Sequence, residues 1–307
     1  MPTTDRMDQP VSPATSPAPT RIGSRTFRWG ERTFVMGILN VTPDSFSGDG
    51  LLTGSGDPVE AAVRVGRGMV EDGADILDVG GESTRPGHTA VDADEERRRV
   101  VPVIEALRAA LPDTPISIDT TKPAIAEAAL VAGADLLNDV WGVGPDDALP
   151  RLAADHGVPL IVMHNRGEPR YTTFLPELIA DLQRAIERAL RLGIARDDLI
   201  VDPGFGFGKT PDHNLELLRA LDILRVLGRP ILLGTSRKST LGRVLDLPAD
   251  ERLEATLATT AIGIARGADI VRVHDVRANV RVARMSDAIV RGTWREAATQ
   301  PTEGGTT

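Results

Sequence analysis

Cysteine is absent from this chain of 307 residues, and so is any excess of positive charge. The absence of cysteine excludes disulfide bonds, a thiolate nucleophile and cysteine-ligated zinc. A formal net charge of −9 argues against a nucleic-acid groove and against a polybasic membrane anchor. No stretch of about 18 apolar residues is present, and the polar N-terminal region lacks the apolar core of a signal peptide. We therefore expect a cytoplasmic protein that binds neither nucleic acid nor membranes.

The two ends of the chain differ in composition from the rest. Residues 1–20 are rich in proline and threonine, and residues 296–307 are similarly polar. Such segments bury too little apolar surface to offset the conformational entropy that folding costs. We predict disordered tails at 1–20 and 296–307, with a single domain at 21–295. That length suits one large α/β barrel.

Between the tails, short apolar runs alternate with amphipathic stretches. Such runs are typical of buried parallel strands, and there are eight: 34–39, 76–79, 116–118, 136–137, 160–163, 199–201, 231–233 and 270–273. Stretches between them, such as 58–72, 94–110 and 177–192, have helical spacing. Eight strand–helix units predict an α/β fold of the (β/α)8 TIM-barrel type rather than an open sheet. Residues 26–33 predict an N-terminal β-hairpin, with Gly30 in its turn, that closes the barrel floor.

The tripeptide Gly-Ala-Asp occurs before three of the predicted strands, at residues 73–75, 133–135 and 267–269. Glycine is the residue that most readily adopts the left-handed conformation in which many helices end. Each copy therefore predicts a helix C-terminus followed directly by entry into the next strand.

Polar residues follow most of the predicted strands, at the end of the barrel where such folds place their active sites. Acceptors follow strands 3, 4 and 6, namely Asp119, Asn138 and Asp202. Cationic groups follow strands 7 and 8 and lie in the loop after strand 2: Lys238, Arg272, His274 and Arg85. Buried carboxylates need compensating donors, and paired arginines suit phosphate. This polarised ring predicts a nitrogen heterocycle joined to a phosphate or diphosphate as the ligand.

Several charged residues at these strand ends also have a structural interpretation. Asp78 and Asp139 are explained equally well if they pair with neighbouring cations or accept bonds from the barrel backbone. Arg272 has an alternative as one half of an ion pair inside the barrel. The sequence leaves these alternatives open.

Signals for a metal or a nucleophile are sparse. The chain has no HExxH motif and no local cluster of three ligands. Asn40 together with a bound diphosphate would suit Mg²⁺, which keeps several waters and takes few protein ligands. No GxSxG motif or Ser/His/Asp arrangement stands out, so covalent catalysis is not expected.

Several motifs together make the chain resemble the dihydropteroate synthase family. They run in order from about residue 34 to residue 290: MGILNVTPDSFS at 36–47, DVGGESTRPG at 78–87, SIDT at 117–120, ND at 138–139, MHN at 163–165, DPGFGFGK at 202–209, SRKS at 236–239 and RVHD at 272–275. The resemblance implies a pterin-binding barrel, usually a homodimer, that uses Mg²⁺. Its reaction condenses 6-hydroxymethyl-7,8-dihydropterin diphosphate with 4-aminobenzoate to give 7,8-dihydropteroate and diphosphate. Sulfonamides resemble the second substrate.

The resemblance also implies roles for single residues, with Asp119, Asn138, Asp202 and Lys238 as the catalytic set. Each role belongs to one part of the substrates: the pterin contacts Asp119, Asn138, Met163, Asp202 and Lys238, the diphosphate contacts Arg85, Arg272 and His274, 4-aminobenzoate contacts Phe46, Thr84, Pro86, Phe207 and Ser239, and Mg²⁺ contacts Asn40. One departure concerns the first loop, where the family usually has Ser-Asp-Gly-Gly and this chain has Ser-Gly-Asp-Gly at 47–50.

Two other functions compete with this one. A methyltetrahydrofolate methyltransferase of the related barrel family would share the acidic pterin side, but it has no need of the motifs at 84–86 and 236–239. A catalytically silent paralogue that binds pterins or a partner protein would be compatible with the altered first loop. Turnover of the two substrates separates the synthase from the silent paralogue.

Overall fold

A computed structural model of the chain describes residues 16–42, 57–82, 91–142 and 146–294. These residues form an α/β barrel preceded by a β-hairpin. The hairpin strands are β1 (Thr20–Ile22) and β2 (Arg25–Phe27). The barrel strands are β3 (Phe34–Asn40), β4 (Ile76–Gly80), β5 (Ile116–Asp119), β6 (Leu136–Asp139), β7 (Leu160–Met163), β8 (Leu199–Asp202), β9 (Leu232–Leu233) and β10 (Ile270–Val273). Each of the eight predicted strands is present.

Helices connect the strands. Those within the described ranges are α1 (Pro58–Glu71), α2 (Ala93–Ala110), α3 (Pro123–Ala132), α4 (Ala148–His156), α5 (Phe174–Arg191), α6 (Pro211–Arg219), α7 (Ser239–Leu245), α8 (Leu253–Ala265) and α9 (Val276–Val290). Short 3₁₀ helices cover Arg196–Asp198, Leu221–Leu227 and Ala249–Glu251. The three predicted helices correspond to α1, α2 and α5, although α5 begins earlier, at Phe174. No helix in these ranges is long and apolar enough to cross a membrane.

The eight barrel strands are all parallel and nearly close on themselves. Their order is β8-β7-β6-β5-β4-β3-β10-β9, and a single bridge between Val201 and Ile231 joins the two outer strands. The predicted (β/α)8 barrel is therefore confirmed. Closure places the carboxyl ends of all eight strands around one opening, which is where ligands bind in such barrels.

The hairpin lies at the predicted place but not at the predicted residues. It pairs Thr20 with Phe27 and turns at Gly23, whose φ is +58°, so it precedes most of the predicted range 26–33. Gly30, predicted to lie in its turn, instead lies after β2 in a separate turn. The hairpin also begins within the stretch predicted as the N-terminal tail. The composition of residues 1–20 concealed a short β-branched segment followed by a Gly-Ser turn, which is a two-residue hairpin signal.

Buried polar contacts tie the hairpin to the barrel. Thr20 is 1% exposed. Its hydroxyl donates to the carbonyl of Asp197 and accepts the indole N–H of Trp29 at 3.0 Å. Because Trp29 packs in the barrel floor, Thr20 joins the hairpin to the floor.

We expect Thr20→Val to lower the free energy of unfolding by about 1–3 kcal/mol, because it leaves the buried Trp29 N–H without its acceptor while conserving shape. Urea denaturation would measure the loss. Thr26→Val is the matched control, since Thr26 is exposed on the same hairpin. An equal effect of the two substitutions would contradict the role given to Thr20.

Inside the barrel, side chains of alternate strand residues form a lower apolar layer. It comprises Met36, Ile76, Leu136, Ile161, Ile200, Leu232 and Ile270, which cluster with Ile22, Phe27, Trp29 and Phe34 from the N-terminal segment. The hairpin thus closes the floor, as predicted. Since side chains on a strand alternate between faces, the residue two positions further along each strand also points inward. That second layer holds the site described below.

The three Gly-Ala-Asp tripeptides end helices as predicted, and their aspartates also bond to neighbouring strands. Gly73, Gly133 and Gly267 all have φ near +100° and follow helix ends. In addition, each aspartate accepts a backbone N–H at the start of the preceding strand: Asp75 from Val35, Asp135 from Ile116 and Asp269 from Ile231. The tripeptides therefore link neighbouring strands at the floor, far from the opening.

Candidate active site

The site residues lie two positions beyond the apolar layer. Asp78, Asn138, Met163, Asp202 and Arg272 follow floor residues on β4, β6, β7, β8 and β10 by two positions, and Asp119 follows the inward Ser117 on β5. The period of two that buries the floor thus also directs these side chains into the opening. Strand alternation explains why so many polar residues converge without any local sequence cluster.

A cavity of about 390 Å³ opens at this end of the barrel. Seven predicted site residues line it: Asn40, Asp119, Phe207, Lys238, Ser239, Arg272 and His274. A second cavity of about 370 Å³ adjoins it and shares Asp119 and Phe207 as walls. The structure therefore brings together residues from five separate strand ends and loops, as the prediction required.

The remaining predicted pterin residues are buried on three consecutive strands beside this cavity. Asn138, Met163 and Asp202 are 4%, 3% and 5% exposed. Met163 is the register partner of Asp202, and Asn138 is the partner of Asp119. Asp119, Asn138, Met163 and Asp202 thus form one continuous wall along β5 to β8.

Arg272 lies at the centre of a buried ion-pair network. Its Nε donates to Asp78 Oδ2 at 2.6 Å, and its Nη2 donates to Asp119 Oδ2 at 2.7 Å. Asn138 Nδ2 donates to Asp78 at 3.2 Å. The structural alternatives for Asp78 and Arg272 are therefore both realised. Two buried carboxylates share one guanidinium, so the cluster carries an excess of negative charge.

One acceptor of this cluster has no donor. Asp119 Oδ1 is buried without a hydrogen-bond partner in the described residues, and so is the hydroxyl of Ser117 two positions earlier. Buried carboxylate oxygens are rarely left unpaired, because desolvation is costly. Since Asp119 lines the cavity and one of its oxygens lacks a donor, this side chain is a candidate acceptor for a ligand N–H.

Burial shifts the pKa values of the site. Burial, opposed by Arg272 and reinforced by Asp78, raises the pKa of Asp119 to about 7. Burial likewise raises the pKa of Asp202, although Lys238 acts against it. The pKa of Lys238 falls to about 8, since its burial outweighs the attraction of Asp202. A ligand that donates hydrogen bonds to the two carboxylates would favour their charged forms.

The loop after β8 depends on its three glycines. Gly204, Gly206 and Gly208 all have positive φ, and Gly204 donates its N–H to Asp202 Oδ1 at 2.7 Å. A Cβ on Gly204 would lie 1.8 Å from the carbonyl oxygen of His164. Lys238 donates to the carbonyl of Phe205 in this loop. The conformation of the loop places Gly206 and Phe207 at the cavity wall.

Residues after β9 are held by pairs that the sequence did not reveal. Ser236 Oγ lies 2.9 Å from His274 Nδ1. Arg237 has φ +57°, unusual for a residue with a side chain, and it pairs with Asp275 at 2.7 Å. The strained position of Arg237 places Lys238 and Ser239 at the cavity wall.

Other contributors also escaped the sequence analysis. Glu82 lines both cavities and pairs with Lys122, which in turn pairs with the buried Glu96. Asp139, the other carboxylate with two interpretations, accepts the N–H of Trp141 at 2.8 Å, which is the structural role. Lys209 contacts His164. Only tertiary packing joins Lys122 to Glu82 and Glu96, and Lys209 to His164, so no local motif could have indicated these partners.

Four predicted site residues lie outside the described residues, namely Phe46, Thr84, Arg85 and Pro86. The roles given to them stay predictions, as does any effect of the altered motif at 47–50. Within the described residues, no group of three His, Cys, Asp or Glu side chains could hold a metal. Asn40 alone supplies a hard amide oxygen to the cavity, which fits Mg²⁺ only if substrate phosphate completes the ligands.

Comparison with known proteins agrees with this geometry. A sequence profile described as "Pterin binding enzyme" matches residues 36–274, most of the chain. The chain belongs to the pterin-binding enzyme family. The dihydropteroate synthase of Clostridium beijerinckii is 50% identical over 272 residues, which is 88% of this chain and 99% of that protein.

Solved structures of pterin-binding enzymes give the same result. The dihydropteroate synthase of Xanthomonas albilineans with 4-aminobenzoic acid is 42% identical, has a TM-score of 0.83, and the match covers 90% of this chain and 98% of that one. The Yersinia pestis enzyme in a sulfonamide drug complex is 38% identical, has a TM-score of 0.82, and the match covers 89% and 99%. The matches cover almost the full length of these relatives, and their sequence identities show more than a shared fold.

Proposed function

We infer that this protein is a dihydropteroate synthase, a transferase of the pterinylmethyl group. The bond between the exocyclic methylene carbon of the pterin and its diphosphate oxygen breaks. A bond from that carbon to the arylamine nitrogen of 4-aminobenzoate forms, and the nitrogen gives up a proton. The products are 7,8-dihydropteroate and diphosphate. The observation that carries the inference is Asp119, a buried carboxylate that lines the cavity and has one oxygen unpaired, in a chain from this family.

The acidic wall would bind the pterin. Asp119 and Asp202 offer carboxylate acceptors to the ring N–H donors, and Asn138 can donate and accept. Met163 supplies an apolar contact within the same wall. Lys238 lies 4.6 Å from the centre of the Phe207 ring, so it borders both the pterin and the arylamine positions. Charge-assisted bonds of this kind orient a flat heterocycle as well as hold it.

We expect Asp202→Asn to weaken binding of the pterin substrate by about 1.5–3 kcal/mol while leaving the protein folded, since a charge-assisted bond is lost but shape is kept. Calorimetric titration with the pterin would measure this. Asp139→Asn is the matched control, because Asp139 is as buried and likewise accepts a backbone N–H, from Trp141, but is not among the predicted pterin residues. Unchanged affinity in Asp202→Asn would refute its assignment.

The cationic side would receive the diphosphate. His274 and Arg272 line the cavity next to Asn40, and Arg85 is proposed to join them. Because Arg272 already pairs with Asp78 and Asp119, its single positive charge would be shared between the two carboxylates and the anion. We propose that Mg²⁺ accompanies the diphosphate and is held by Asn40. When bound, such an ion stabilises the negative charge that the leaving group develops.

Removal of the metal should have a large effect. We expect EDTA to suppress diphosphate release and added Mg²⁺ to restore it, because the leaving group departs as a highly charged anion. Asn40→Ala should raise the Mg²⁺ concentration needed for half-maximal rate by about tenfold. Asn165→Ala is the control, since Asn165 borders the adjoining cavity and donates to the carbonyl of Val140. An identical Mg²⁺ requirement in the wild type and Asn40→Ala would remove Asn40 from the metal site.

The arylamine would bind where Phe207 and Ser239 line the cavity. Phe207 offers a ring face, and Ser239, the first residue of α7, offers a hydroxyl group that can donate to a carboxylate. We propose that Phe46, Thr84 and Pro86 complete this pocket. The arylamine needs no strong base, since the anilinium formed on attack is acidic. Sulfonamides would occupy the same position, as mimics of 4-aminobenzoate.

Release of diphosphate with both substrates present tests the function. We expect turnover only when the pterin diphosphate and 4-aminobenzoate are supplied together. A folded protein that binds the pterin without turnover would be the silent paralogue instead. Methyl transfer from methyltetrahydrofolate is the third outcome, and the similarity to dihydropteroate synthases argues against it.

We also propose that the protein is a cytoplasmic homodimer. Apolar side chains of α8 and α9 are exposed: Ile262 by 47%, Met285 by 61% and Ile289 by 70%. The two helices pack against each other, so these side chains can form one surface. Sedimentation should give twice the mass of 32.8 kDa, and Ile289→Glu should shift it toward the monomer. A wild-type monomer would reject the proposal.

A further inference from the structure

A chain of polar contacts runs from the glycine loop to helix α5. Lys209 Nζ donates to the carbonyl of Phe207 at 2.9 Å and lies 3.0 Å from His164 Nδ1. His164 Nε2 lies 3.1 Å from Asp181 Oδ2. The His164 side chain is 0% exposed, and that of Asp181 is 12% exposed. Each ring nitrogen of this buried histidine therefore has a polar partner, Lys209 on one side and Asp181 on the other.

The chemistry of Lys209 sets the direction of these bonds. An ammonium group has only donors, so His164 Nδ1 must accept from it. The ring N–H is then on Nε2 and points to the Asp181 carboxylate. Burial, followed by the charge of Lys209, lowers the pKa of His164 to about 4. The ring is therefore neutral at physiological pH and has one tautomer.

We propose that Lys209 is a positioning residue of the synthase reaction, kept in its charged form by Asp181 acting through the neutral ring of His164. This proposal rests on the proposed function, because its consequence is for the two substrate pockets. Lys209 holds the Phe207 carbonyl, and the Phe207 ring borders both cavities. The same loop carries the Gly204 N–H that orients Asp202. Loss of charge at Lys209 would loosen both.

The role of Asp181 follows from what deprotonation would weaken. The bond from Lys209 to His164 Nδ1 is charge-assisted while Lys209 is an ammonium group, and a neutral amine would donate it only as an ordinary hydrogen bond. The Asp181 carboxylate accepts from Nε2–H, which makes Nδ1 a stronger acceptor for the ammonium group. Asp181 therefore opposes loss of the Lys209 proton.

The surroundings make this opposition matter near neutral pH. Burial lowers the pKa of Lys209 to about 7, while Asp202 raises it, Lys238 and Arg166 lower it further, and Asp181 raises it. Tyr171, whose hydroxyl donates to the carbonyl of Gly208, also packs against this loop. As pH rises through that range, Lys209 loses its charge. The pKa of Lys238 is about 8, so both lysines titrate in a similar pH range and variants are needed to distinguish them.

The test is the pH profile of kcat/KM for the pterin substrate in Asp181→Asn. The amide oxygen of asparagine can still accept from Nε2–H but carries no charge, so it stabilises the charged form of Lys209 less. We expect the alkaline limb to move down by about one pH unit and the rate below it to stay close to that of the wild type. Glu177→Gln is the matched control: Glu177 lies on the same helix and pairs with the same Arg166, but it does not touch His164. An unmoved limb, or equal shifts in both variants, would overturn the proposal.

Nitrogen NMR of histidine-labelled protein gives a second, activity-independent measurement. His164, assigned through His164→Gln, should show the Nε2–H tautomer and should stay neutral in mildly acidic buffer. The pH profile of kcat/KM gives a further check: Lys209→Met should lack the alkaline limb that Asp181→Asn shifts. A protonated or Nδ1–H ring in the wild type would reject the proposal even if Asp181→Asn failed to fold. Absence of turnover in the wild type would instead reject the proposed function, while the tautomer would still be measurable.

Discussion

Arg272→Met should lower the free energy of unfolding by about 3–5 kcal/mol near neutral pH, because it leaves buried carboxylates without their cation. Asp78 is 0% and Asp119 8% exposed, and Arg272 bonds to both. Burial acts to lower the pKa of Arg272, but these two carboxylates raise it above its ordinary value. The guanidinium therefore stays charged, and methionine fills a similar volume without replacing that charge.

The loss should depend on pH in a defined direction. The folded-state pKa of Asp119 is about 7, well above that of an unfolded aspartate, and removing Arg272 raises it further. Protonation of Asp119 thus stabilises the folded state at low pH, and this contribution disappears as pH rises through the folded pKa. The deficit of Arg272→Met should consequently be smaller in mildly acidic buffer than in alkaline buffer.

Urea denaturation at the two pH values would measure the effect. Adding Asp78→Asn to Arg272→Met should recover part of the stability, since it removes one uncompensated carboxylate. Arg243→Met is the control: Arg243 borders the same cavity but is exposed, so a change within about 0.5 kcal/mol is expected. A deficit independent of pH would show that Arg272 contributes packing rather than charge compensation.

Gly204→Ala should be comparably damaging, with an expected loss of about 3–5 kcal/mol from backbone strain and overlap together. Gly204 has φ +69°, and a Cβ there would lie 1.8 Å from the carbonyl oxygen of His164. His164 is buried directly after β7, so its backbone has no room to move away. The loop would have to move, and the bond from its N–H to Asp202 would break. Pterin affinity should therefore fall together with stability.

Two other glycines separate strain from overlap. Gly228 has φ +61° with no atom within 4 Å of the added Cβ, so Gly228→Ala should cost about 1 kcal/mol and leave pterin binding unchanged. At Gly206 the Cβ would meet only the flexible side chain of Lys238, at 2.9 Å. Gly206→Ala should thus affect the site more than the fold. Thermal unfolding and calorimetry would give both quantities, and equal effects at Gly204 and Gly228 would contradict the argument.

Much of the fold could be predicted because each strand is coded locally. Strands such as 160–163 and 270–273 are short apolar runs, and the structure places them at those residues. The hairpin was misplaced since its residues share the composition of the tail before them. Only packing of Ile22 and Phe27 into the floor distinguishes them from that tail.

The sequence by itself determined the barrel, the order of its strands along the chain and the set of polar residues at their ends. It could do so because strand periodicity is local and a barrel brings all carboxyl ends together. The tertiary structure alone decided which charges pair. Arg272 lies 194 positions along the chain from Asp78 and 153 from Asp119, and Lys209 lies 45 from His164. Ion pairing and burial depend on distances in space, which closure of the barrel sets and which no local pattern of residues records.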